Sequence, residues 1–178
     1  LYSLEHYQLA RERLREGGMM VQWLTLYQLT EDEFKVIAAT FQEAFPHVEL
    51  WLGDPDMMFP VVGLIGKKTP FGIDLLLLRN RMARPEIPEE LVYGDDALSL
   101  LSAFLMGGDD LSDYLGDPPL NTDDRPRIEF STPRNNYANR RLGWDTMQRL
   151  AALKKSVVPL LDLEELDAEE REDVVRRM

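Results

Sequence analysis

The stretch LTEDEFKVIAATFQEAFPHVELWL, residues 29 to 52, decides the fold. Thr30 followed three residues later by Glu33 is a capping box, with Leu29 and Phe34 placed as the hydrophobic staple around it. Phe34, Ile37, Ala38, Phe41 and Phe45 then recur at helical spacing, so one face of the segment is apolar. Pro46 blocks continuation of the helix, because it lacks the amide and its ring crowds the preceding turn. HVELWL, residues 47 to 52, is short, apolar and β-branched or aromatic enough for a strand. The core of the stretch is therefore a helix feeding a strand.

Working outward, MMVQWLTLY (19 to 27) precedes the helix and has the composition of a buried strand. After HVELWL a Gly-Asp-Pro-Asp turn leads into MFPVVGLIG (58 to 66), a third strand. Two strands joined by a helix are expected to lie parallel with a right-handed crossover, and the third, reached through a short turn, to lie antiparallel. The fold class is α/β, with two parallel strands plus an antiparallel strand, and the open edge of so small a sheet needs a cover. LYSLEHYQLARERLREGG comes first, a helix with Ser3 as N-cap, ended by Gly17 and Gly18. A chain that opens on a helix cap with Leu1 is expected to be part of something longer.

From residue 70 short helices are expected. Asp74 caps IDLLLLRNRMA, which Pro85 stops; PEELVYG, DDALSLLSAFLMGG and DDLSDYLG follow. The acidic pairs Asp95–Asp96 and Asp109–Asp110 suit helix N-termini, where the macrodipole favours negative charge. Then come LNTDDRPRIEF (120 to 130), with RIEF reading as a strand, a polar RNNYANRR, and two charged amphipathic helices, WDTMQRLAALKKSV and LEELDAEEREDVVRRM. The organisation is an α/β domain over 1–69, a helical subdomain over 70–133 ending in the RIEF strand, and a charged helical tail over 134–178.

Composition narrows the chemistry. With 44% apolar and 29% charged residues, the 178-residue chain reads as soluble and globular. Its net charge of −12 argues against a basic nucleic-acid-binding face and draws cations weakly. The absence of cysteine excludes disulfides, thiolate metal sites and cysteine nucleophiles. The longest apolar run, MMFPVVGLIG, falls well short of the roughly 20 residues that span a bilayer. GLIGKK (63 to 68) lacks a phosphate loop's first glycine, with Val61 in its place, and Lys68 stands where Ser or Thr would bind the metal. His6 and His47 lie on different elements with no carboxylate at ligand spacing, so no metal site is expected.

Two stretches keep a claim on function. In VQWLTLYQL, at the carboxyl end of the first strand, Gln22 offers an amide, and Trp23 and Tyr27 offer ring faces that either pack in a core or hold a cation. In LNTDDRPR, Asn121 or Thr122 closes a local turn, and Asp123 and Asp124 either pair with Arg125 and Arg127 or hold an ammonium group.

LYSLEHYQLARERLREGGMMVQWLTLYQL, TFQEAFPHVELW and LNTDDRPRIEF together resemble the C-terminal part of the spermidine synthase-like proteins, nearest to the bacterial group joined to a membrane-transporter-like region. The resemblance covers about residues 1 to 133 and implies a methyltransferase-like, Rossmann-type sheet. It implies transfer of an aminopropyl group from decarboxylated S-adenosylmethionine to a polyamine amine. The rivals are an S-adenosylmethionine-dependent methyltransferase and a non-catalytic polyamine-sensing or assembly module of a membrane protein. The cofactor loop and catalytic aspartate of such enzymes lie upstream of the opening helix, so this chain alone is expected to be inactive and to hold no cofactor. It further implies that Gln22, Trp23 and Tyr27 line the amine cleft, that Asp123 and Asp124 contact the amine, and that Asn121, Thr122, Arg125 and Arg127 brace it. The expected setting is a cytoplasmic homo-oligomer whose parent is tethered to the inner membrane.

Overall fold

The computed structural model of the protein describes residues 2–54, 59–84, 96–138 and 143–178. It is a mixed α/β chain that divides into two compact units, Leu1–Pro70 with Leu105–Lys154 and Phe71–Phe104 with Lys155–Met178.

The first unit is built on a four-stranded sheet. Helix α1 (Leu4–Arg13) starts at Ser3, whose hydroxyl accepts the His6 amide. It ends at Arg13, earlier than the glycine pair predicts, and Gly17 takes a positive φ of 71° in the turn beyond. Strand β1 (Met19–Thr25) gives way to a 3-10 turn at Leu26–Gln28. Helix α2 (Glu31–Ala44) opens on the predicted capping box: Thr30 Oγ1 accepts the Glu33 amide, and the Thr30 amide donates to Glu33 Oε2 at 2.8 Å. Strands β2 (His47–Asp54) and β3 (Val61–Lys67) follow.

Strand β3 lies antiparallel to both β1 and β2, and between them, so β1 and β2 run parallel as expected from the helix that joins them. The order is β1-β3-β2-β5, where β5 is Phe104–Gly107. That last strand corrects the sequence reading, which took DDALSLLSAFLMGG as one helix. Helix α4 (Ala97–Leu101) stops at Ser102 and the apolar FLMG becomes an edge strand. Four apolar residues carry no periodicity that separates helix from strand; the free edge of β2 makes the choice.

One face of the sheet carries the core. Leu24, Leu50, Val62 and Leu64 meet Phe34, Ile37, Ala38 and Phe41 of α2. Burying each large side chain is worth about 1.5–3 kcal/mol. The fit is tight enough that a Cβ at Gly66 would stand 2.6 Å from Phe45 and 2.7 Å from Phe41. Tyr7 of α1 meets Phe41 edge-on, with ring centroids 4.9 Å apart. Arg11 donates to the Ala44 carbonyl at 2.7 Å, satisfying an end group that α2 cannot satisfy itself. Helices α5 (Gly108–Leu115), α6 (Arg127–Ala138) and α7 (Trp144–Ala152) complete the unit. Asp109 and Asp110 occupy the first turn of α5, as the macrodipole argument requires.

Helix α6 is the second correction. RIEF, predicted as a strand, is its first turn. The Ile128 amide donates to Asn121 Oδ1 at 3.2 Å, a side-chain bond that starts a helix rather than a ladder. The second unit holds α3 (Leu75–Met82, capped by Asp74), α4 (capped by Asp96) and α8 (Ala168–Arg177, capped by Asp167). It also has a parallel two-residue pairing of β4 (Ile73–Asp74) with β6 (Leu161–Asp162), which the sequence reading lacks. The Arg177 guanidinium meets Asp96 at 2.9 Å. PEELVYG, Pro85 and Asp95 lie outside the described residues.

Candidate functional site

Because paired residues of neighbouring strands share a face, the register defines what stands on the side of the sheet away from α2. One row reads Trp23–Gly63–Trp51 and the next Val21–Ile65–Glu49, across β1, β3 and β2. Gly63 leaves a lane between two indoles. The Trp23 ring lies along that lane as far as Gly53, where an added Cβ would collide with its Cζ3 atom. One ring face packs on glycine backbone while Trp23 stays 57% exposed. An indole held flat with an open face is a platform for a cation or another ring.

Glu49 is the unusual group on this face. It is only 3% exposed; Oε2 accepts the Trp51 indole N–H at 3.0 Å, and Oε1 has no hydrogen-bond partner. Burial pushes its carboxyl up to about 7, against the Trp51 N–H and the Lys67 charge, which both lower it. The enclosed carboxyl orients the Trp51 indole, and its charge state changes near neutrality. The sequence reading missed Glu49, Trp51, Gly53 and Gly63. A lone acid in the middle of the apolar HVELWL run, two residues before a tryptophan and so on its face, was the signal that could have found the pair.

The residues named from sequence do not gather in one place. Gln22 and Trp23 leave opposite faces of β1, as successive strand residues must. Gln22 Oε1 accepts the buried Tyr7 hydroxyl at 3.4 Å, and Nε2 donates to the Trp23 carbonyl at 3.0 Å. Tyr27 sits in the 3-10 turn, edge-on to Phe59 with centroids 5.4 Å apart. Asp123 and Asp124 are exposed in a turn closed by the Thr122 and Arg125 bridge. The Asp123 amide donates to Glu5 Oε2 at 3.0 Å. Arg125 and Arg127 are exposed, and among the described residues no ion pair joins them to the two aspartates.

Asn121 is the brace of that segment. It is fully buried, and all four of its polar groups are bonded. Its amide donates to Thr40 Oγ1 at 2.9 Å and its carbonyl accepts the Leu4 amide at 2.9 Å. Its side chain donates to the Tyr2 carbonyl and accepts from Ile128. One residue thus fastens α1, α2 and α6. Elsewhere, the lysines of GLIGKK end a strand, and Lys68 donates to the Leu14 carbonyl at 2.8 Å. An open cleft of about 400 Å³ between α2 and α5 is lined by Gln42, Glu43, Asp109, Ser112 and Asp117, among others. Among the described residues no helix is long and apolar enough to cross a membrane.

The fold and this site define a mixed α/β chain with an aromatic platform on one sheet face. Comparison with protein-family models, with curated proteins and with solved structures finds no match in any of the three.

Proposed function

We propose that this chain supplies the amine-binding side of a spermidine synthase-like aminopropyltransferase, on the closing strands of a methyltransferase-like sheet. The observation that carries the reading is the position of β3, antiparallel between two parallel strands, with Trp23 held open beside it. The resemblance of LYSLEHYQLARERLREGGMMVQWLTLYQL, TFQEAFPHVELW and LNTDDRPRIEF is what joins that arrangement to polyamine chemistry.

The amine arrives as a cation, drawn by an overall charge of −12, and its ammonium rests on the Trp23 ring face. Trp51, oriented by Glu49, forms the far side of the glycine lane. In the transfer itself, one amine nitrogen loses its proton to a base and attacks the aminopropyl carbon attached to the sulfonium of decarboxylated S-adenosylmethionine. The new C–N bond forms as the C–S bond breaks, and the sulfur leaves as a neutral thioether. No residue of this chain is assigned as that base, so the chain alone binds amine without turnover.

Titration calorimetry tests this with putrescine, spermidine, decarboxylated S-adenosylmethionine and S-adenosylmethionine, each added to the folded chain. Saturable heat with an amine, lost in Trp23→Ala, is the expected result. Heat with S-adenosylmethionine and none with amines would replace the reading with methyl transfer, and silence with every ligand would end it.

A further inference from the structure

We propose that Glu49 is a proton-operated catch on the edge strand β5. As the neutral acid it lies closed against Gly107, and as the carboxylate it frees that end of the strand from β2. Strand β5 is last in the order β1-β3-β2-β5, so its ladder bonds all go to β2. Phe104, Leu105 and Met106 are buried and anchor the strand through their side chains. Gly107 has no side chain and is half-exposed, so this end rests on backbone bonds and on its neighbour Glu49. A Cβ at Gly107 would stand 3.0 Å from Glu49 Cγ and 3.1 Å from the Val48 carbonyl oxygen. Only glycine lets the glutamate side chain lie so close to the edge strand.

The carboxyl is closed in on every side but this one. Oε2 is committed along the strand to the Trp51 indole N–H, Ile65 stands opposite on β3, and Oε1 is buried with no partner among the described residues. An enclosed carboxylate with an unpaired oxygen is far costlier than the neutral acid. Burial accordingly pushes this carboxyl up to about 7. The other titratable groups on this face are His47 on β2 and Lys67 on β3, which pair with each other one step along the register. Met19, Val21 and Trp23 of β1 add none, and neither does β5. Asp109 and Asp110, just beyond β5, are exposed in the first turn of α5.

On ionising, the free oxygen needs water, and the shortest opening is past the glycine backbone. Lifting the backbone-only end of a four-residue edge strand is a local event, less costly than unfolding the core behind it. The movement reaches further than the strand. Gly107 runs directly into Gly108 and Asp109, which line the cleft between α2 and α5, so the catch also sets that cleft's wall.

The experiment is amide hydrogen exchange of the full chain as a function of pH, with no ligand present, so its failure leaves the amine reading untouched. Protection of the Leu105–Gly107 amides is expected to fall at least about tenfold between pH 4.5 and about 7, and to level off above. This exchange should be insensitive to low denaturant, because a local opening exposes little surface. The pH response is expected to vanish in Glu49→Gln and to persist in His47→Gln. The Trp51 indole N–H resonance, bonded to Glu49, should move over the same range in the parent and decides the matter if Glu49→Gln fails to fold. Protection that ignores pH overturns the proposal, as does a response that survives Glu49→Gln. So does β5 exchange as sensitive to denaturant as that of Leu64 in the core, or an indole resonance that stays fixed.

Discussion

The hydroxyl of Ser131 donates to Glu33 Oε1 at 2.5 Å, joining residues 98 apart in the chain. Thr132 Oγ1 and Asn135 Nδ2 donate to the same oxygen, both at 3.1 Å, while Oε2 holds the amide and hydroxyl of Thr30. The capping box of α2 is therefore also the socket that receives α6.

Removing that socket is expected to be costly. Glu33→Ala strands several half-buried donors, and a loss of about 2 kcal/mol is expected from denaturant unfolding. Glu33→Gln keeps one acceptor but turns an amide toward a group of donors, so it should cost about half as much. Burial pushes the Glu33 carboxyl up, but Ser131, Thr30 and Asn135 outweigh it and hold it below the usual range. A lowered folded pKa means that this stability is complete above the ordinary glutamate value near 4.5. It is lost as pH falls through the folded value. Unchanged acid stability in Glu33→Gln would refute the account.

Glu49 has the opposite sign. Its folded pKa of about 7 exceeds the unfolded 4.5, so the native state holds a proton that the unfolded chain has released. Its contribution is complete below about 4.5 and declines as pH rises to about 7. Glu49→Gln keeps an acceptor for Trp51 and never ionises. It should therefore match the parent near pH 4.5 and exceed it above pH 7, by on the order of 2 kcal/mol. Parallel stability curves for the two proteins would count against a buried, protonated Glu49.

Asn121 is saturated with bonds, so shape alone does not replace it. Asn121→Ala leaves the Tyr2 carbonyl and the Ile128 amide unpaired, at an expected cost of about 2–3 kcal/mol. Asn121→Asp should be no better, because it turns an acceptor toward the Tyr2 carbonyl. Circular dichroism and denaturant unfolding measure both. A stable, fully helical Asn121→Ala would show that α6 is held by Glu33 alone.

Gly53→Ala tests the platform rather than the core. Its methyl group would displace the outer edge of the Trp23 ring, which is free to move into solvent. A stability change below about 1 kcal/mol is expected, with red-shifted tryptophan emission and weakened amine binding. Gly66→Ala is the contrast. Its methyl meets Phe41 and Phe45 inside the core, and a cost of about 1–3 kcal/mol is expected.

Local chemistry alone determined much of the first unit. The capping box at Thr30, the apolar face of α2, the stop at Pro46, the three strands and the antiparallel sense of β3 all follow from residues within a few positions of one another. So do the caps at Ser3, Asp74 and Asp96. Tertiary structure decided the rest, because the deciding partners are distant in the chain. FLMG is a strand because β2 has an edge to offer, and RIEF is a helical turn because Asn121 and Glu33 meet its donors. Glu49 resembles any strand glutamate until its neighbours close over it, since burial is a property of the packed molecule and not of the residue.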